Sequence, residues 1–213
     1  LLGFVFFYVF PSIALLTFII VSIYHFGEQH WEVNLSKSES VFRNKIFLFI
    51  FHGIIFFIII FINNLKIVNE VLSSFNVNPL EHYYLELALI VFSILYFLFI
   101  LYLKNLRKYL FNEVVFFSLL FLLTINTTLI FGFAIYFIFF HSLLSIKDQI
   151  KFIYDADNPK NIKKYIITSM PYFILALTSL LIFYIVVDLE SINLLPIIFT
   201  FLAAITFPHV LVI

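Results

Sequence analysis

The sequence lacks cysteine and has little charge. Of its 213 residues, only 11% are charged, and 12 Lys plus Arg balance 12 Asp plus Glu. The absence of cysteine excludes disulfides, thiolate metal sites and cysteine nucleophiles, so any metal must be bound by nitrogen and oxygen. The balanced charge, with no block of basic residues, argues against nucleic acid as a partner.

Apolar residues dominate what is present. Hydrophobic residues make up 64% of the chain, 32 residues are Phe, and the mean hydropathy is +1.14. These values lie outside the range of soluble domains, and apolar runs of about twenty residues fit membrane-spanning helices. The sequence therefore predicts an all-α, polytopic membrane helix bundle forming a single domain over residues 1–213. Because both ends lie within apolar sequence, we expect the chain to be a fragment of a longer protein.

The hydropathy pattern predicts about seven transmembrane helices. They cover residues 2–25, 46–62, 84–103, 109–125, 127–146, 166–187 and 194–213. The intervening segments 26–45, 104–108 and 147–165 contain every Lys and Arg of the chain except Lys66. Under the positive-inside rule these three loops are cytoplasmic, which predicts a multi-pass protein of the inner membrane.

Four histidines lie in or at the ends of predicted spans at similar depth. At about 1.5 Å per residue, His52, His141 and His209 lie about 8 to 9 Å from the cytoplasmic end of their spans, and His25 closes its span there. A single buried histidine is most simply explained by a hydrogen bond to a neighbouring helix. Four at one depth favour a metal site near the cytoplasmic side.

The surroundings of these histidines narrow the chemistry. No acidic residue is expected beside them inside the spans, which disfavours a proton relay. Glu28, Glu32 and Glu113 are expected at the cytoplasmic rim, where a carboxylate can orient a metal-binding imidazole. Imidazoles without thiolates suit Fe(II), Zn(II) or Cu(II). The other two histidines, His30 and His82, are interpreted as interfacial, with His30 close enough to His25 to be a spare ligand.

Short motifs around the four histidines resemble a known family. They are Tyr24-His25-Phe26-Gly27, His52-Gly53, the segment 133–137 (Phe-Ala-Ile-Tyr-Phe) followed by His141-Ser142, and the segment 208–212 (Pro-His-Val-Leu-Val). In this order, over nearly the whole chain, they resemble the Brp/Blh family of bacterial β-carotene 15,15′-dioxygenases.

The resemblance implies a membrane enzyme containing Fe(II). Such an enzyme splits β-carotene with O₂ at its central double bond to give two molecules of retinal, with a functional link to a rhodopsin. The family's histidine ligands map onto His25, His52 and His141. A further family histidine maps onto Ser145, so His209 is the candidate for the fourth ligand. A position that is usually acidic in the family is His30 here. Aromatic residues flanking the ligands are the candidate substrate contacts: Phe26, Phe51, Tyr136, Phe137 and Phe140.

Two other functions remain open from the sequence. The i, i+5 spacing of His25 and His30 is compatible with a membrane desaturase or hydroxylase, although that class needs around eight clustered histidines and this chain has six. A transporter or a degenerate, non-enzymatic binding protein would use the histidines to pair with each other or with water. A rhodopsin is excluded because no span interior contains the lysine that would bind retinal.

Overall fold

Every regular element of the computed structural model, which describes residues 2–35, 45–186 and 197–203, is helical. Residues 197–203 form a further helical stretch. The remaining elements are α1 (Leu2–Val9), α2 (Pro11–Asn34), α3 (Lys45–Asn63), α4 (Leu65–Ser74), α5 (His82–Tyr102), a 3₁₀ turn (Arg107–Tyr109), α6 (Leu110–Ile125), α7 (Leu129–Tyr136), a π-helical turn (Phe137–Ser142), α8 (Leu143–Tyr154) and α9 (Pro159–Val186).

The all-α membrane fold predicted from the sequence is confirmed. The described residues contain six helices that are long and apolar enough to cross a membrane, close to the seven that were predicted. They are Pro11–Glu32, Lys45–Asn63, His82–Tyr102, Arg107–Ile125, Leu129–Tyr154 and Pro159–Val186. Of the seventh predicted span, only residues 197–203 belong to the described part of the chain.

The first span differs from its predicted bounds of 2–25. Pro11 begins a new helix, as its missing N–H allows at a first helical position, so α1 and α2 are separate elements. The second helix then continues past Gly27 to Asn34, through sequence that was expected to be a loop. This extension places His25 and His30 on one helix. Five residues correspond to a rotation of about 140°, so the two imidazoles leave that helix on different faces.

Two glycines let α2 and α3 cross in backbone contact. A Cβ atom at Gly27 would collide with the backbone carbonyl of Phe49, and one at Gly53 would collide with that of Ile23. Small residues allow this close approach between helices in a membrane. Gly27 follows His25 by two residues and Gly53 directly follows His52, so the crossing lies at the level of these two histidines. From there α3 packs against α2, α5, α6 and α7.

We expect Gly27→Ala to destabilise the protein strongly. The added methyl group meets main-chain atoms that cannot move aside, and overpacking of this kind costs about 1–3 kcal/mol. Gly132→Ala is the matched control, because its methyl group would meet a side-chain atom, the Thr127 hydroxyl at 2.6 Å, which can rotate away. The measurement is the thermal midpoint in detergent, followed by fluorescence of Trp31, the single, fully buried tryptophan. Equal midpoints for the two variants would contradict the close crossing.

Candidate metal centre

One face of α2 brings His25 to the π-helical turn. His25 and His141 are both buried, and their ring centroids lie 5.2 Å apart at an interplanar angle of 71°. Phe137 stacks on His141 at 4.6 Å, and the Gln29 side-chain amide donates a hydrogen bond to the His141 carbonyl at 3.1 Å. The π-helical turn widens the helix at His141, and such turns are frequent at functional sites.

The other face of α2 brings His30 to α3 and α6. The His30 and His52 rings stack with centroids 4.0 Å apart and an interplanar angle of 19°. Glu113, in the first turn of α6, lies beside both: its Oε1 is 2.7 Å from His30 Nε2 and its Oε2 is 3.2 Å from His52 Nδ1. Donor atoms of these three residues lie within 4.8 Å of one another, which makes them a candidate metal-binding group.

A chain of hydrogen bonds extends from Glu113 to two aromatic residues. The Tyr96 hydroxyl on α5 donates to Glu113 Oε2 at 2.6 Å, and the Trp31 indole N–H donates to the Tyr96 oxygen at 3.1 Å. Trp31, His52 and Tyr96 are 0% exposed and Glu113 is 1% exposed. Polar groups buried in this way must form hydrogen bonds with one another, and these hydrogen bonds connect residues of four helices.

His52 fits a metal ligand on its remaining nitrogen. Its Nδ1 faces Glu113 and Tyr96, whereas its buried Nε2 has no hydrogen-bond partner among the described residues. A neutral imidazole donates from one nitrogen and offers a lone pair on the other, and histidines that bind metals usually donate their second N–H to a carboxylate. The donor set of neutral imidazoles with a buried carboxylate behind them is therefore compatible with a divalent transition metal.

Comparison with known proteins identifies the family. The family model described as beta-carotene 15,15′-dioxygenase matches residues 1–213, the whole chain. The chain belongs to the beta-carotene 15,15′-dioxygenase family. Neither the curated proteins nor the solved structures include a match to it. The resemblance found in the histidine motifs is thereby confirmed.

The structure places three of the four predicted ligands of this dioxygenase family member inside the bundle. His25, His52 and His141 are all buried, on α2, α3 and the π-helical turn. Tyr136 joins the two histidine groups, since its ring contacts Phe26, which packs on His141, and Phe116, which packs on His52. His209 lies outside the described residues, so its part in the set stays a prediction.

The five predicted substrate contacts are placed differently from one another. Phe26 and Tyr136 are buried beside the histidines, and Phe137 stacks on His141. Phe140 stacks on Tyr136 at 5.6 Å but is 45% exposed. Phe51 packs against Phe47 and Phe92 on another side of α3.

Phe26 also lines an apolar cavity in this family member. The cavity is partly open to the outside and is lined by α2, α3, α4, α7 and residues 198–202. All of its lining residues are apolar. Phe133 lines it too and stacks with Phe137, which in turn stacks on His141. Aromatic rings therefore lead from the cavity to the histidines.

The expectation that no carboxylate lies near the histidines was wrong. Glu113 was expected at the rim, but the 3₁₀ turn Arg107–Tyr109 lets α6 begin with its first turn packed against His30 and His52. Glu113 does lie within hydrogen-bond distance of an imidazole, that of His52, as was expected of a carboxylate that orients a ligand. His30, interpreted as interfacial, packs into the same group, and Tyr96 and Trp31 were missed. A carboxylate within the apolar run 110–125 was the signal that pointed to Glu113.

Proposed function

We propose that this family member splits β-carotene with O₂ at the central double bond and releases two molecules of retinal. The carbon–carbon double bond breaks, and each of its two carbons takes one oxygen atom to become an aldehyde. Three observations support the proposal. They are the family match over the whole chain, the buried His52 with Glu113 beside its Nδ1 and no hydrogen-bond partner at its Nε2 among the described residues, and the apolar cavity lined by Phe26, which packs on His141. The family match carries the proposal.

We further propose that Fe(II) is held by His25, His52 and His141, with His209 as the fourth ligand. Imidazole nitrogens suit Fe(II), and a ligand set without carboxylates leaves Glu113 to hydrogen-bond behind His52. Bound there, the iron would supply the reaction with O₂, which amino-acid side chains cannot perform. The protein's own residues bind the polyene, exclude water and orient the imidazoles.

A second ligand set deserves comparison because the distances favour it. His30, His52 and Glu113 form a group of two histidines and one carboxylate, the combination found in many non-haem Fe(II) oxygenases. It shares His52 with the first set and differs in every other member. The two sets therefore predict different variants that lose iron.

The cavity is the proposed site for one arm of the polyene. β-Carotene is a hydrocarbon that partitions into the bilayer, and a cavity with an entirely apolar lining binds such a chain without leaving a polar group unpaired. Phe26 and Phe133 contact both the cavity and the surroundings of His141, so an arm lying in the cavity would direct the central double bond toward the histidines.

Purified protein supplied with Fe(II), O₂ and β-carotene should form two retinal molecules for each carotene consumed. A carotenoid with hydroxylated rings should react with a kcat/KM reduced by about tenfold or more. Its hydroxyl group would be buried without a hydrogen-bond partner, at a cost of about 1–3 kcal/mol. Chromatography of the products measures both. Iron binding without any retinal would favour a carotenoid carrier, and products of hydroxylation or desaturation would favour the other class of iron enzyme.

The proposal also fixes where the reaction occurs. We propose that the histidines lie near the cytoplasmic side of the inner membrane, and the concentration of basic residues in three loops supports this orientation. Retinal released there stays in the bilayer, where a rhodopsin could take it up. Reporter fusions after Lys37, Arg107 and Lys160 should all give cytoplasmic signals.

A further inference from the structure

We infer that Glu113 is a positioning residue that fixes the tautomer of His52, and that Tyr96 and Trp31 hold Glu113 in place for this task. The inference rests on the proposed function in taking His52 as a metal ligand and in adopting the first ligand set, which does not contain Glu113. It adds a function for three residues that lie on α2, α5 and α6, away from the histidine motifs. Glu113 acts through His52 and does not itself bind the metal.

The direction of each hydrogen bond in the series Trp31–Tyr96–Glu113–His52 follows from which groups can only donate and which can only accept. The Trp31 indole can only donate, so the Tyr96 oxygen accepts from it. The Tyr96 hydroxyl hydrogen goes to Glu113 Oε2, which is 2.6 Å away and charged, rather than to His52 Nδ1 at 3.2 Å. An ionised carboxylate can only accept. His52 Nδ1 lies 3.2 Å from both Glu113 Oε2 and the Tyr96 oxygen, and neither has a hydrogen left to donate to it, so Nδ1 carries a hydrogen.

This assignment determines what His52 offers at its other nitrogen. With hydrogen on Nδ1, the neutral imidazole has its lone pair on Nε2, the buried atom that has no hydrogen-bond partner within the described chain. The opposite tautomer would place two acceptors, Nδ1 and the carboxylate, against each other in a buried site. Glu113 therefore selects the tautomer that can bind a metal through Nε2.

Both carboxylate oxygens of Glu113 are engaged by the protein. Oε2 faces Tyr96 and His52, and Oε1 lies 2.7 Å from His30 Nε2. These three contacts occupy most of the roughly four lone-pair sites of the carboxylate, so a metal bound to Glu113 would crowd them in a site that is 1% exposed. A role behind the ligands keeps all of them, and carboxylates in this role typically contribute 10- to 100-fold in metal affinity.

The test compares Co(II) binding by purified full chains in detergent. Glu113→Gln keeps the size of the side chain but replaces one acceptor with a donor, so we expect Co(II) affinity to fall about 10- to 100-fold. Tyr96→Phe keeps the ring and loosens Glu113, so we expect a smaller loss of a few-fold. Glu86→Gln is the control, because Glu86 is exposed on α5 and pairs with His82.

The ligand-field spectrum of bound Co(II) distinguishes positioning from direct ligation. At saturating Co(II), the Glu113→Gln and wild-type spectra should coincide, because the ligands are the same. A changed spectrum would show that Glu113 is a ligand, and an unchanged affinity would show that it has no positioning role. The helical circular dichroism signal reports whether each variant is folded, because Trp31 donates to Tyr96 and its emission would respond to these substitutions directly. If Glu113→Gln does not fold, Tyr96→Phe is the deciding variant.

The inference and the proposed function fail in different ways. Wild-type protein that binds Co(II) with the expected dependence on Glu113, yet forms no retinal with iron, would contradict the proposed function and support the inference. Wild-type protein that binds no Co(II) would overturn the inference.

Discussion

His52→Ala should abolish iron binding and retinal formation together. His52 belongs to both candidate ligand sets, and it is the fully buried histidine whose Nε2 lacks a hydrogen-bond partner in the described part of the chain. Loss of an outer partner of a metal ligand already costs 10- to 100-fold in affinity, so loss of the ligand itself should cost more than about 100-fold. Elemental analysis of purified protein and a retinal assay measure the two effects.

His82→Ala is the matched control for this experiment. His82 begins α5, its side chain is 56% exposed, and it pairs with Glu86. We expect this variant to retain full iron content and activity. A His52→Ala protein that is folded and still holds one iron per chain would contradict both ligand sets.

Further variants decide between the two sets. If His25, His52 and His141 hold the iron, alanine at His25 or His141 should remove it, whereas His30→Ala should lower the affinity only moderately. If His30, His52 and Glu113 hold it, His30→Ala should remove the iron, whereas alanine at His25 or His141 should lower the affinity only moderately. Gln29→Ala, which releases the His141 carbonyl, should weaken iron binding only in the first case.

The sequence predicted the parts of the fold that depend on hydropathy. The third span, expected at 84–103, is α5 (His82–Tyr102), and the second, expected at 46–62, is α3 (Lys45–Asn63), because uninterrupted apolar runs satisfy their backbone only as helices. The end of α2 was wrong because it depends on the crossing with α3. Gly27 resembles a helix terminator in sequence, but its missing side chain serves the contact with Phe49.

The site was predictable where a polar residue interrupts an apolar run. His25, His52 and His141 were singled out for this reason, and all three are buried; their binding of a metal stays a prediction. Their partners were not found, because stacking of His30 on His52 depends on how α2 lies against α3 and α6. The π-helical turn at His141 was not predicted either, because the sequence was interpreted with regular α-helical spacing in this segment.

The fourth ligand gives the second large expected effect. From the resemblance of the histidine motifs, we expect a histidine in the family at the position of Ser145, which lies on α8, just beyond the π-helical turn that contains His141. A serine hydroxyl is a poor ligand for Fe(II), so another group must complete the set. His209 is the candidate because it is expected at the same depth in the membrane. We therefore expect His209→Ala to remove as much iron and retinal formation as His141→Ala does.

Restoring the family pattern should compensate for that loss. Residues 141 and 145 are four apart, which on a helix places them on nearly the same face one turn apart, so a histidine at 145 can reach a metal bound by His141. In the His209→Ala background, Ser145→His should recover most of the iron content, whereas Ser142→His, a neighbour rotated by about 100° from His141, should recover none. Full iron content in His209→Ala alone would mean that water or His30 fills the fourth position. Failure of Ser145→His to recover iron, in a protein with normal Trp31 emission, would mean that the π-helical turn directs position 145 away from the metal.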